Sequence, residues 1–209
     1  MTSLDALEAK LRARLSGTLP GLDAQLRFMP TPPRTGWTPG EFPSDARLAA
    51  GLLLLYPGEH GPSLPLTVRA SGLRRHAGQI SLPGGATDEG ETLVQAALRE
   101  ADEEIGVDPA RVRILGELTP VYVVVSGFTL HPIVGLTDRR PEFRPAAHEV
   151  DQIVEVSIDD LQDAANIRHG TRTREGVAIE YPYFDLRGHQ VWGATAMILG
   201  EFVCVLQGS

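Results

Sequence analysis

The sequence predicts an α+β chain of the α-β-α sandwich type, a mixed β-sheet lying between helices. Three observations predict it. From Arg47 onward, apolar strand patterns alternate with helical ones. Several strand candidates are separated by loops too short to hold a crossover helix, which argues against a purely parallel sheet. Two long helical patterns carry one apolar stripe each and need a sheet face to cover it.

In chain order, Leu4, Leu7, Leu11 and Leu15 recur at helical spacing among charged residues, and Gly17 marks the end of that helix. Its stripe must pack on its own domain or on a second copy of the chain, so a homodimer is one expectation. The segment MPTPPRTGWTPGEFP follows, with five prolines between Pro30 and Pro43. Proline lacks the amide donor that a helix or a central strand requires, so this is a connecting arm. Strands are predicted at residues 48–56, 64–70, 111–118, 128–136, 152–156 and 177–184. Helices are predicted at 92–105, 158–165 and 191–206, with Trp192 opening the last. The organisation expected is an extension over 1–46 and one domain over 47–209.

The composition excludes several roles. With 209 residues there is material for one full core. The net charge of -8 argues against partners among nucleic acids or anionic membranes. No apolar run approaches the roughly 18 residues of a membrane span, and the N-terminus has no apolar signal region. Cys204 is the only cysteine, so neither an intramolecular disulfide nor a cysteine zinc site can form, and a cytoplasmic location is expected. Lys10 is the only lysine. The cations are therefore arginine forks, suited to phosphate and carboxylate.

One stretch breaks local rules. In GGATDEGETLVQAALREADEEIGV (84–107), Leu93, Ala97, Ala101 and Ile105 form an apolar stripe. Glu100, Glu103 and Glu104 are spaced by three and four, which groups them on one side of the helix. They also crowd its C-terminal end, where the helix dipole disfavours negative charge. A divalent cation resolves both conflicts, because magnesium takes hard oxygen ligands from one or two carboxylates, phosphates and water. Gly84 and Gly85 allow backbone oxygen to come close, and Arg99 can orient or neutralise a neighbouring carboxylate.

The full pattern places Gly85, Glu91, Arg99, Glu100, Glu103, Glu104 and Gly106 at fixed positions, with Ala101 and Val107 in apolar slots. It resembles the box of the Nudix hydrolases. That resemblance implies a Nudix fold, and hydrolysis of a diphosphate in a nucleoside derivative with Mg2+ or Mn2+. It implies Glu100 and Glu104 as main metal ligands, Glu103 as a further ligand or the base, and the Gly85 carbonyl as another ligand. Arg99 and Glu91 would be supporting residues. Glu149, in a later loop, is the alternative base, with Glu103 preferred.

Immediately upstream, LPLTVRASGLRRHAGQISLPGGA (64–86) runs a strand with Arg69 into a loop with Arg74, Arg75 and His76. This stretch resembles the additional motif of the coenzyme A pyrophosphatase branch. Leu66, Thr67, Arg69, Ala70, Arg74, Gly78, Pro83, Gly84 and Gly85 match, while Pro65 and Leu82 depart from it. The resemblance implies coenzyme A, or its acyl or oxidised forms, as substrate, with 3',5'-ADP and 4'-phosphopantetheine as products. Arg69, Arg74, His76 and Gln79 are the candidate substrate-binding residues. Two alternatives stand beside it. One is a Nudix hydrolase acting on another nucleoside diphosphate derivative, such as ADP-ribose or a dinucleotide. The other is a Nudix-like module that binds nucleotide without cleaving it.

Overall fold

A computed structural model describes residues 4–71 and 78–208 of the chain. Strand β1 (Arg47–Gly58) is the spine of the main sheet. Ala50, Leu52 and Leu54 pack into one core cluster, and Leu53 and Leu55 into another. Side chains alternate across a strand, so a strand covered on both sides reads as an unbroken apolar run. β1 pairs antiparallel at its end with β2 (Gly61–Arg69) and near its start with β4 (Gly84–Ala86). β3 (Ile80–Ser81) and β8 (Val150–Ser157) pair with β2. β7 (Phe128–Leu136) lies parallel to β1 from Arg47↔Phe128 to Leu55↔Leu136. β5 (Arg113–Glu117) and β6 (Val121–Val123) pair antiparallel with β7. One parallel pair among antiparallel ones makes the sheet mixed, as expected.

Helix α3 (Leu93–Ile105) covers one face, where Ala96, Ala97, Ala101 and Ile105 meet Ala50, Leu52 and Leu54. The other face is covered by α5 (Ala194–Gln207), α1 (Leu4–Leu15) and α2 (Gly21–Leu26). Leu7 and Leu11 of α1 are buried in the main core. The stripe packs on its own chain. Phe28 stacks on Phe184 at 4.5 Å. Gly200 of α5 makes room for it, since a Cβ there would come within 2.3 Å of the Phe28 ring. Glu201 is fully buried and accepts hydrogen bonds from Gly21 N (3.2 Å), Gln25 Nε2 (2.9 Å), Thr119 N (3.3 Å) and Thr119 Oγ1 (2.6 Å). α1, Phe28 and α2 are thus tied into the same core as the rest.

A second sheet was not expected. It holds β9 (Ile167–Arg174), β10 (Val177–Leu186) and β11 (His189–Trp192) in antiparallel order β11-β10-β9. The sequence of β9, IRHGTRTR, has no buried residue and so no apolar alternation. It is a strand because its backbone pairs with β10 along its whole length. Val191 and Trp192, expected to open the last helix, end β11 instead. Gly193 follows with φ of 68°, a left-handed conformation that blocks helix continuation, and α5 starts at Ala194. The short helix predicted at 158–165 divides into α4 (Ile158–Gln162) and a 3-10 turn (Ala164–Asn166), each with its own side-chain cap, Ser157 and Asp163. Residues 109–111 form a 3-10 turn before β5.

The proline-rich arm lies against the second sheet. Thr31 and Glu180 exchange two backbone hydrogen bonds, of 2.8 and 2.9 Å. Arg174 donates to the carbonyls of Pro32 and Pro33, both at 3.1 Å. No helix among the described residues is long and apolar enough to cross a membrane.

Candidate active site

The acidic helix is fixed at both ends by local chemistry. Thr92 caps α3 reciprocally with Gln95: the Thr92 hydroxyl accepts from Gln95 N at 3.3 Å, and the Gln95 side chain accepts from Thr92 N at 2.9 Å. Gly106, at φ 72°, closes the other end. These caps set the rotation of the helix over β4, and so the places of its glutamates.

The three glutamates do not share one environment. Glu104 is buried, 2% exposed, and accepts from Gly84 N at 3.2 Å. Arg69 Nη1 lies 3.8 Å from it. Burial pushes its pKa up to about 7 against the help of Gly84 and Arg69, and the charges of Glu100 and Glu149 push the same way. Glu100 is half-buried, and its pKa is also raised, first by burial, despite an ion pair of 2.9 Å with Arg99. Glu103 turns outward; its side chain is 60% exposed and ion-paired to Arg99 at 3.2 Å.

Arg99 is the hub. It donates to both oxygens of Glu91 (2.9 and 3.0 Å), to Glu100 (2.9 Å), to Glu103 (3.2 Å) and to the Ala86 carbonyl (3.0 Å). One planar guanidinium therefore ties the turn, the helix and β4 together. The Arg99–Glu91 pair holds the Glu91 carboxyl below its ordinary range.

Gly85 sits directly beside Glu100. A Cβ on Gly85 would lie 2.4–2.6 Å from the Glu100 carboxylate. Glu149 reaches the same region from the loop before β8. Its carbonyl accepts from Ala70 N at 2.8 Å, and Ala146 N in the same loop donates to the Glu104 carbonyl at 2.9 Å. The charge of Glu149 acts on both Glu100 and Glu104.

A divalent cation fits this donor set. Glu104 is a buried carboxylate with incomplete compensation, and Glu100 faces the small backbone surface of Gly85. Among the described residues, no three His, Cys, Asp or Glu side chains form a closed cage. An open set of one or two carboxylates with a carbonyl suits an ion that keeps water and substrate phosphate in its shell.

A cavity of about 870 Å³ opens beside the carboxylates, lined at this end by Arg69, Gln79, Gly84, Gly85 and Ala86. Arg69 Nε is buried and has no hydrogen-bond partner among the described residues. The Gln79 carbonyl accepts from Arg69 N at 3.0 Å. Arg74 and His76, the other two candidate substrate contacts, lie outside the described residues. His131 of β7 lies with its Nδ1 2.6 Å from a carboxylate oxygen of Glu117.

The sequence reading missed the rest of the cavity wall. It comes from Arg34 and Trp37 of the arm, Tyr122, Arg172 and Arg174 of β9, and Trp192. The one signal was the alternating TRTR of β9, which sets Arg172 and Arg174 on one face of a strand.

A model of the NUDIX domain matches residues 45–175. Over 184 residues the chain is 31% identical to a protein of Photorhabdus laumondii named "Uncharacterized Nudix hydrolase NudL", covering 88% of this chain and 94% of that one. A Pectobacterium atrosepticum protein of the same name is 43% identical over 100 residues, 47% of this chain and about half (52%) of its own length. Among solved structures, a Nudix hydrolase from M. smegmatis, RenU, aligns with a TM-score of 0.47 and 25% identity over 64% of this chain and 80% of that one.

Proposed function

The chain belongs to the Nudix family and is a Nudix hydrolase acting on a small nucleotide derivative, and we propose that this substrate is coenzyme A, cleaved at its diphosphate to 3',5'-ADP and 4'-phosphopantetheine. The observation that carries the reading is Arg69. Its strand belongs to the stretch that resembles the coenzyme A pyrophosphatase motif. It stands 3.8 Å from Glu104, and its Nε is buried beside the cavity with no partner among the described residues. A buried, unsatisfied arginine donor costs stability unless a ligand completes it. A diphosphate lying between Arg69 and the glutamates would do so.

Glu100, Glu104 and the Gly85 carbonyl would hold Mg2+ or Mn2+, which when bound supplies positive charge that polarises the diphosphate and acidifies water. Arg99 keeps Glu100 and Glu103 in place through the contacts above. A carboxylate takes the proton of the attacking water. Glu103 is kept as the base, with Glu149 as the alternative: Glu103 is paired with Arg99 at 3.2 Å and Glu149 with His148 at 3.4 Å, and the charges of both act on Glu100.

The test is a substrate panel with product identification, using purified protein, magnesium, coenzyme A, ADP-ribose and dinucleotides. Release of 3',5'-ADP and 4'-phosphopantetheine is expected. Intact coenzyme A beside cleaved ADP-ribose or dinucleotide would assign the chain to another Nudix substrate. No cleavage of any member would leave a nucleotide-binding module.

A further inference from the structure

The wall of the cavity supplied by the arm and the second sheet is cationic. The Arg172 guanidinium carbon lies 3.9 Å over the Trp192 ring and 5.8 Å from that of Tyr181. Stacking fixes the plane of the guanidinium and leaves its donors at the rim. Arg172 Nε is buried, with no hydrogen-bond partner among the described residues, and no described carboxylate pairs with Arg172. Arg174 lies beside it with its donors on Pro32 and Pro33. Among the described residues Arg34 pairs with Glu175 alone, at 3.9 Å, and that carboxylate is 82% exposed. Burial, with the charges of Arg174 and Arg34, lowers the pKa of Arg172.

Three cations face one cavity, and among the described residues no buried carboxylate pairs with any of them. A structural role for Arg172 as packing on Trp192 accounts for the stack. It does not account for the unpaired Nε, or for two further arginines on the same cavity. Like charges brought together at this degree of burial cost free energy unless a counter-charge enters between them.

We propose that Arg172, with Arg174 and Arg34, forms a second anion subsite that takes a phosphate monoester separate from the diphosphate being cleaved. The inference rests on the reading of coenzyme A as substrate, and it names the feature selected: the 3'-phosphate on the ribose. The cavity then has two poles. The glutamates, with their cation and Arg69, hold the diphosphate. The arginines of the arm and β9 hold the monoester. ADP-ribose and simple dinucleotides carry no such group and leave this pole empty. Planar guanidinium forks suit a terminal phosphate better than a lysine would.

The test compares coenzyme A with dephospho-coenzyme A, which lacks only the 3'-phosphate, on wild type and R172Q. Wild type should favour coenzyme A in kcat/KM by about tenfold or more, the order set by charge-assisted hydrogen bonds, and R172Q should lose that preference by a similar factor. No preference in wild type, or an undiminished one in a folded R172Q, overturns the proposal. A binding arm on wild type needs neither turnover nor a variant. By calorimetry, adenosine 3',5'-bisphosphate should bind at least about tenfold more tightly than adenosine 5'-monophosphate. Equal affinities overturn the subsite. If wild type cleaves neither thiol substrate, the coenzyme A reading fails, and the binding arm alone decides whether the subsite exists.

Discussion

Glu104 is a carboxylate held where its charge is unfavourable, which has consequences for both stability and activity. With the metal chelated, its pKa of about 7 stands above the ordinary carboxylate value near 4.5. Between those values the folded protein retains a proton that the unfolded chain releases, so stability falls as pH rises from about 4.5 to about 7 and stays lowered above that. Replacing the residue by its neutral isostere removes this penalty. Glu104→Gln should therefore be more stable than wild type at pH 8 by up to about 3 kcal/mol, with the gap closing toward pH 4.5. Urea denaturation in chelator at the two pH values reads it, and a variant less stable at pH 8 contradicts the burial argument. In the presence of magnesium, the same variant should lose about 10² or more of kcat/KM, because the proposed site would lose one of its ligands. An unchanged rate excludes Glu104 from the metal site.

At the scale of elements, the glycine turn and the acidic helix work as one unit. β4 places Gly85 against Glu100, Arg99 bonds the Ala86 carbonyl, and the Thr92–Gln95 cap fixes where the helix begins. Gly85→Ala tests this coupling. The three atoms nearest the new methyl all belong to the end of the Glu100 side chain, which can turn away, so the fold should survive with a change within about 1 kcal/mol. The carboxylate must move to make room, and a displacement of about 1 Å in a positioned group costs on the order of tenfold to a hundredfold in rate. A melting curve and a rate measured together check it; full activity would show that Glu100 does not need its observed position. The second sheet makes the complementary point. β9 carries no buried residue, yet its pairing with β10 brings Arg172 and Arg174 to the cavity.

At the scale of the molecule, α1, Phe28 and the last helix complete a core that the matched family region, 45–175, does not contain by itself. Leu7, Leu11 and Phe28 are buried with α5 residues such as Ile198 and Phe202, and Glu201 ties α2 and Thr119 to α5. Phe28→Ala removes a ring stacked on Phe184 over the gap left by Gly200, and should cost about 3–5 kcal/mol in chemical denaturation. A loss under about 1 kcal/mol would mean that the extension is only loosely attached. Because Trp37 and Arg34 lie on the chain just after Phe28, the same variant should also weaken nucleotide binding.

The sequence by itself determined the mixed sheet, the apolar spine of β1, and the acidic helix with its glycine turn. Each of these is written in short-range periodicity or in fixed spacing along one element. Residues three and four apart on a helix are neighbours whatever surrounds them, so Arg99, Glu100, Glu103 and Glu104 could be grouped before any packing was known. Their separation into a buried Glu104, a half-buried Glu100 and an exposed Glu103 depends on what covers the helix, and only the tertiary structure decided it. The same holds for Glu149, brought near Glu100 and Glu104 by a loop 45 residues after Glu104, and for Trp192, a strand residue because Gly193 breaks the chain direction before α5. The arm and β9 were illegible for a related reason. Their residues show no apolar period, and they hold their places by backbone pairing with β10, an interaction that depends on the partner strand far more than on side-chain identity.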